Sequence, residues 1–160
     1  MTIINQKSIV IDIQSCNEGI EFILKGEINE DLLIEELIKY KSDVLRINFE
    51  SVKMINSCGI REWIKFVEAV TNAGSKVEYY NCPQIIIQQV NMVTGFIPNG
   101  GTVETFYAPY FCDDCENEDK TLLKSKELSG RTAPGLKCTK CGADSKIDAT
   151  EDVYLNFIPE

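Results

Sequence analysis

Histidine is absent from the 160 residues of this chain. Imidazole is the usual general base near neutral pH and the commonest metal ligand, so Ser–His, Cys–His and His–metal chemistry are all excluded. Long apolar runs are missing too. No stretch approaches the roughly 18 residues of a membrane-spanning helix, and the opening Met1-Thr2-Ile3-Ile4-Asn5-Gln6-Lys7 lacks the basic start and long apolar core of a secretion signal. A cytoplasmic protein with no membrane insertion is the expectation. Positive charge is scarce: 16 Lys and Arg stand against 25 Asp and Glu, a net charge of −9. The excess acid is spread over both halves, and no cluster of Lys and Arg forms a basic patch. Nucleic acid and anionic membrane surfaces both select for such a patch. A protein partner or a small ligand is the better expectation.

Cysteine is plentiful, with seven residues. An odd count without a secretion signal argues against a disulfide framework. Four of the seven form two pairs, Cys112-Asp113-Asp114-Cys115 and Cys138-Thr139-Lys140-Cys141, separated by 22 residues. Four thiolates so spaced can close a tetrahedral shell around zinc, and Gly142 suits the tight backbone turn that follows such a pair. A redox dithiol would instead need one pair at a helix start in a thioredoxin-like setting. The expectation is one structural Zn²⁺ per chain on Cys112, Cys115, Cys138 and Cys141. Four protein ligands leave no open position for catalysis. Cys16 and Cys82 read as small buried residues. Cys58 falls in the first turn of an expected helix, where a thiolate is favoured.

Along the chain, residues 8–13 and 20–26 alternate or carry β-branched side chains and read as a strand pair around a turn at 15–19. Leu32, Leu33, Leu37 and Ile38 have helical spacing, so residues 29–40 are expected to form an amphipathic helix. Residues 44–49 are apolar with few breaks, as in a central strand covered on both faces. A helix follows Ser57, with Ile60, Trp63, Ile64, Val67, Val70 and Thr71 on one face, and Gly74 ends it. Residues 76–80 form a strand, Pro83 opens a short helix reaching Met92, and residues 102–107 form a last strand. This order implies a mixed sheet with packed helices. Beyond residue 108 the periodicity stops and turn residues accumulate. The expected organisation is therefore an α/β domain over 1–108 and a small four-cysteine, zinc-ribbon-like module over 109–160, too polar to fold without a staple.

Ser57 stands at the start of the expected helix, where unpaired backbone N–H groups and the positive end of the macrodipole gather. A hydroxyl there can cap the helix, or it can carry a phosphate that the helix end tolerates. The strand ending in Asn56-Ser57-Cys58-Gly59, then Gly74-Ser75-Lys76-Val77-Glu78-Tyr79-Tyr80-Asn81-Cys82-Pro83, then Val93-Thr94-Gly95-Phe96, resembles the STAS domains of bacterial anti-sigma-factor antagonists. The resemblance covers roughly residues 5–108. The family's Asp and second Ser are Asn56 and Cys58 here. The resemblance implies a STAS-like fold and a non-catalytic signalling role. It implies a partner-binding surface at Asn56, Ser57, Cys58 and Gly59, and a phosphoacceptor at Ser57 for a kinase of the GHKL ATPase type that is also the anti-sigma factor. The alternative is a scaffold or assembly module whose zinc tail recognises other proteins while Ser57 merely caps a helix. No histidine, phosphate-cradling glycine loop or paired catalytic acids point to an enzyme.

Overall fold

The computed structural model describes every residue from Met1 to Glu160. Ten strands and three α-helices occur. They are β1 (Thr2–Asn5), β2 (Ile9–Cys16), β3 (Gly19–Ile28), β4 (Val44–Ile55), α1 (Ser57–Asn72), β5 (Lys76–Tyr80), α2 (Gln84–Met92), β6 (Thr102–Val103), β7 (Thr105–Phe111), β8 (Glu118–Lys124), β9 (Leu136–Lys137), β10 (Asp144–Ile147) and α3 (Glu151–Tyr154). The first six strands form one mixed sheet in sequence order. β1–β2 and β2–β3 are antiparallel; β3 through β6 are parallel. The other four form an antiparallel sheet in the order β8-β7-β10-β9. No helix is long and apolar enough to cross a membrane.

The core lies on one face of the six-stranded sheet. Ile11, Phe22, Leu24, Leu45, Ile47, Phe49 and Tyr79 point into it and are fully or almost fully buried. α1 meets them with Trp63, Phe66, Val67 and Val70. The rings pack at angles: Phe49 lies edge-on to Trp63 at 5.3 Å and to Tyr79 at 4.9 Å. Each fully buried side chain of this size stabilises the fold by roughly 1.5–3 kcal/mol. The opposite face is polar. Gln14, Glu21, Arg46, Glu78 and Thr102 stand in register across five strands. β4 therefore alternates, with Leu45, Ile47 and Phe49 buried and Arg46 and Asn48 half-buried. The expectation of a strand covered on both faces is corrected.

The expected helix over 29–40 does not form. Only a single 3₁₀ turn, Ile34–Glu36, appears there. The backbone finds other partners. Asp31 N–H bonds to the Asn29 side chain at 2.9 Å, a local turn that competes with helix. The Gln6 amide donates to Leu33 O and accepts from Leu33 N–H, both at 2.9 Å. Leu32 and Leu37 are buried, while Leu33 and Ile38 face solvent, which a single apolar helix stripe would not allow.

The expected last strand over 102–107 is two strands in two sheets. β6 pairs with β5, the chain turns at Glu104, and β7 runs through residues 108 and 109 into the second sheet. The sheets stay joined at this point, because Cys82 and Phe106 form a bridge. One continuous buried cluster extends from Ile9 to Ile158. The C-terminal segment closes it. Tyr154 Oη donates to Tyr107 O at 2.5 Å, Asn91 Nδ2 donates to Tyr154 O at 2.9 Å, and Arg131 Nε donates to Ile158 O at 2.9 Å.

Candidate functional site

The two cysteine pairs occupy the turns of two hairpins. Cys112 and Cys115 lie between β7 and β8; Cys138 and Cys141 lie between β9 and β10. Both turns are built alike. Glu116 N–H bonds to Cys112 O at 2.9 Å, and Gly142 N–H bonds to Cys138 O at 3.0 Å. The residue after each second cysteine is left-handed, Glu116 with φ 59° and Gly142 with φ 76°. Glycine accepts this conformation without strain. The equivalent glutamate gave no signal in the sequence. Thr139 Oγ1 donates to Asp119 Oδ1 at 2.6 Å and ties one turn to the other hairpin.

All four sulfurs lie within 4.8 Å of one another. Cys112 and Cys141 Sγ are 3.5 Å apart, and Cys115 and Cys138 Sγ 3.6 Å. A regular tetrahedron with zinc–sulfur bonds of about 2.3 Å has edges of about 3.8 Å, so the sulfurs fit such a shell in number, type and spacing. Their acidities diverge. The Cys141 backbone N–H, with that of Lys140, pulls the Cys138 thiol down to about 6. Burial, reinforced by the neighbouring sulfurs, pushes Cys115 up to about 12. Thiols this close cannot all ionise against mutual repulsion; a bound cation reverses that balance and holds every ligand as thiolate.

The second candidate region is the start of α1. Asn56 is the N-cap: its Oδ1 accepts from Gly59 N–H at 2.8 Å. This corrects the reading of Ser57 as the cap. Ser57 is the first residue of the helix and is exposed, and Cys58 is half-buried. Asn56 Nδ2 also donates to Glu30 Oε2 at 2.8 Å. That hydrogen bond holds the Glu30 carboxyl below its usual range. Glu30 places a negative charge beside a helix start that has no acid in its own first turn, as the macrodipole favours. It lies 26 residues before Asn56, and nothing in the sequence marked it.

Gly59 is required for a different reason. An added Cβ would stand 2.0 Å from Ile28 O and 2.8 Å from Asn29 N. The helix start thus rests directly on the end of β3, and Asn56 N–H bonds to the same Ile28 O at 3.2 Å. The remaining quoted motifs are structural. Trp63 Nε1 donates to Tyr79 Oη at 2.9 Å, and Tyr79 Oη donates to Phe96 O at 2.5 Å. Gly95 takes φ 87° on the approach to the buried Phe96. Asn81, with φ 51°, opens the turn into Cys82 and Pro83. Cys82 is fully buried, and burial pushes its thiol well up. No protein-family model matches the chain, and no curated protein matches it significantly.

Proposed function

We propose that this chain is a non-catalytic regulatory protein of the STAS, anti-sigma-factor-antagonist kind. In this reading it binds a protein partner through the surface at Asn56, Ser57, Cys58 and Gly59, and phosphorylation of Ser57 switches that binding. One observation carries the reading. Asn56 takes the capping bond, so the Ser57 hydroxyl stands exposed at the first position of α1 with no structural duty assigned to it. A phosphate there adds about −1.5 to −2 charges at a helix end that stabilises anions. Such a change alters the surface and spares the core. The partner implied by the resemblance is an anti-sigma factor that is also a GHKL-type kinase. The cysteine cluster takes one Zn²⁺ with a structural role, stapling the two hairpins that carry the second sheet.

Affinity capture with wild type, Ser57→Ala and Ser57→Asp as baits tests the switch. Enrichment of a GHKL-type kinase on the first two and its loss on Ser57→Asp is the expected result. The same partners on all three baits, with no kinase among them, would sink it. The zinc assignment is tested by elemental analysis of protein purified without chelator: one zinc per chain is expected, and a content well below one refutes it.

A further inference from the structure

A cleft of about 480 Å³ lies where the two sheets meet, and none of its lining residues belongs to the cysteine cluster or to the start of α1. Its apolar wall comes from separate pieces of chain: Val90 of α2, Ile97 and Val103 around β6, and Leu128, Phe157 and Ile158 from the two later segments. The volume is in the range of small-molecule sites, about 300–1,000 Å³.

The polar end of the cleft is built around Glu104. Its backbone is held on both sides, with its N–H on Tyr79 O at 2.8 Å and its carbonyl accepting from Ser125 N–H at 3.0 Å. Its side chain is only 11% exposed, and its carboxylate meets Lys126 Nζ at 3.0 Å and Thr102 Oγ1 at 2.8 Å. Burial raises this carboxyl, but the donors Thr102 and Lys126 outweigh it and hold the group below its usual range. The acid is fixed and its countercharge is not: Lys126 is 82% exposed and reaches in from solvent on a flexible stem, so its ammonium can leave the carboxylate for water. Ser125, also in the lining, has a hydroxyl sequestered from solvent with no hydrogen-bond partner.

We propose that this cleft binds a small amphipathic cation, with an aromatic or branched apolar body against the Val90–Leu128 wall and a primary ammonium on Glu104 in place of Lys126. An anion is disfavoured, because the buried charge of the lining is the Glu104 carboxylate, while Lys126 stands largely in solvent. The inference does not depend on Ser57 or on the metal.

The test is a titration of the full-length, isotope-labelled protein with 2-phenylethylamine, 3-phenylpropionate and 2-phenylethanol, followed by amide chemical shifts. The amine is expected to move Val103, Glu104, Ser125 and Leu128, and to bind at least about tenfold more tightly than the carboxylate, the loss typical of one charge-assisted hydrogen bond. Glu104→Gln weakens the amine about tenfold and leaves the alcohol unchanged. Lys126→Ala, on an exposed side chain that should not disturb folding, strengthens the amine by removing its competitor. Leu128→Trp fills the wall and abolishes binding of all three probes. Shifts located elsewhere, no shifts, a carboxylate that binds as well as the amine, or weaker amine binding to Lys126→Ala would each overturn the proposal.

Discussion

Tyr79→Phe removes a single oxygen from a fully buried chain of hydrogen bonds. The Trp63 indole N–H donates to the Tyr79 hydroxyl, which donates to Phe96 O, at 2.9 and 2.5 Å. All three side chains are inaccessible to solvent, and burial holds the phenol far above its ordinary pKa. The substitution leaves one donor and one acceptor unpaired in a packed interior. An orphaned buried group costs about 1–3 kcal/mol, so the pair costs roughly 2–6 kcal/mol, a large share of the about 5–15 kcal/mol that stabilises a typical domain. At about 2–4 °C per kcal/mol for a chain of this size, Tm should fall by roughly 4–24 °C. Trp63 is the only tryptophan, so its fluorescence during urea unfolding reports this core directly. A midpoint shift equivalent to less than about 0.5 kcal/mol, with an unchanged slope, would show that the network contributes no net stability and would refute the reasoning.

Gly59→Ala should destabilise by at least about 1–3 kcal/mol, the range for overpacking, because its Cβ would meet backbone of Ile28 and Asn29; thermal unfolding within 1 °C of wild type would contradict the close approach. Asn56→Ala should cost about 1 kcal/mol through loss of the cap, whereas Ser57→Ala should cost less than about 0.5 kcal/mol; denaturant titrations that reverse this order would return the capping role to Ser57. The Asn56 bond lowers the Glu30 carboxyl in the folded state, so its contribution is present above the unfolded pKa and is lost as pH falls through the lowered one. Asn56→Ala should therefore flatten the acid limb of the stability profile; identical limbs would count against the pair. Cys112→Ser, or a strong zinc chelator, should free the two hairpin turns and open the β7–β10 sheet to proteolysis while β2–β5 stay protected, and uniform resistance would argue against a metal staple.

The parallel half of the fold was legible where punctuation was local. β5 and α2 fall at the expected positions because Gly74 and Pro83 stop one element and start the next. Local signals failed where a distant residue decided the outcome. Nothing near Leu33 says that Gln6, 27 positions earlier, takes both of its backbone groups, so tertiary context overrode a good helical pattern. Likewise residues 102–107 carry one uninterrupted strand signal, and periodicity has no means of saying that the chain leaves one sheet for another at Glu104. The near-continuous apolar reading of residues 44–49 passed over Arg46 and Asn48, whose alternation with Leu45, Ile47 and Phe49 marks a sheet buried on one face only.

The same division separates the two candidate sites. Metal-ligand spacing is a property of a few adjacent residues, so the cysteine cluster was readable, and each pair does sit in a hairpin turn. The start of α1 was readable only to within one residue, the usual uncertainty of a helix boundary, and that one residue changes the chemistry. With Asn56 as cap, its amide serves two ends at once, taking the Gly59 N–H and giving an N–H to Glu30. Aspartate there would set a second carboxylate against Glu30. Asparagine at 56 is thus matched to glutamate at 30, and the pairing leaves position 57 unencumbered. Charge placed on Ser57 therefore acts at the surface before it acts on the fold. Binding and stability should respond separately to substitution there, whereas at Asn56 and Gly59 they should fall together.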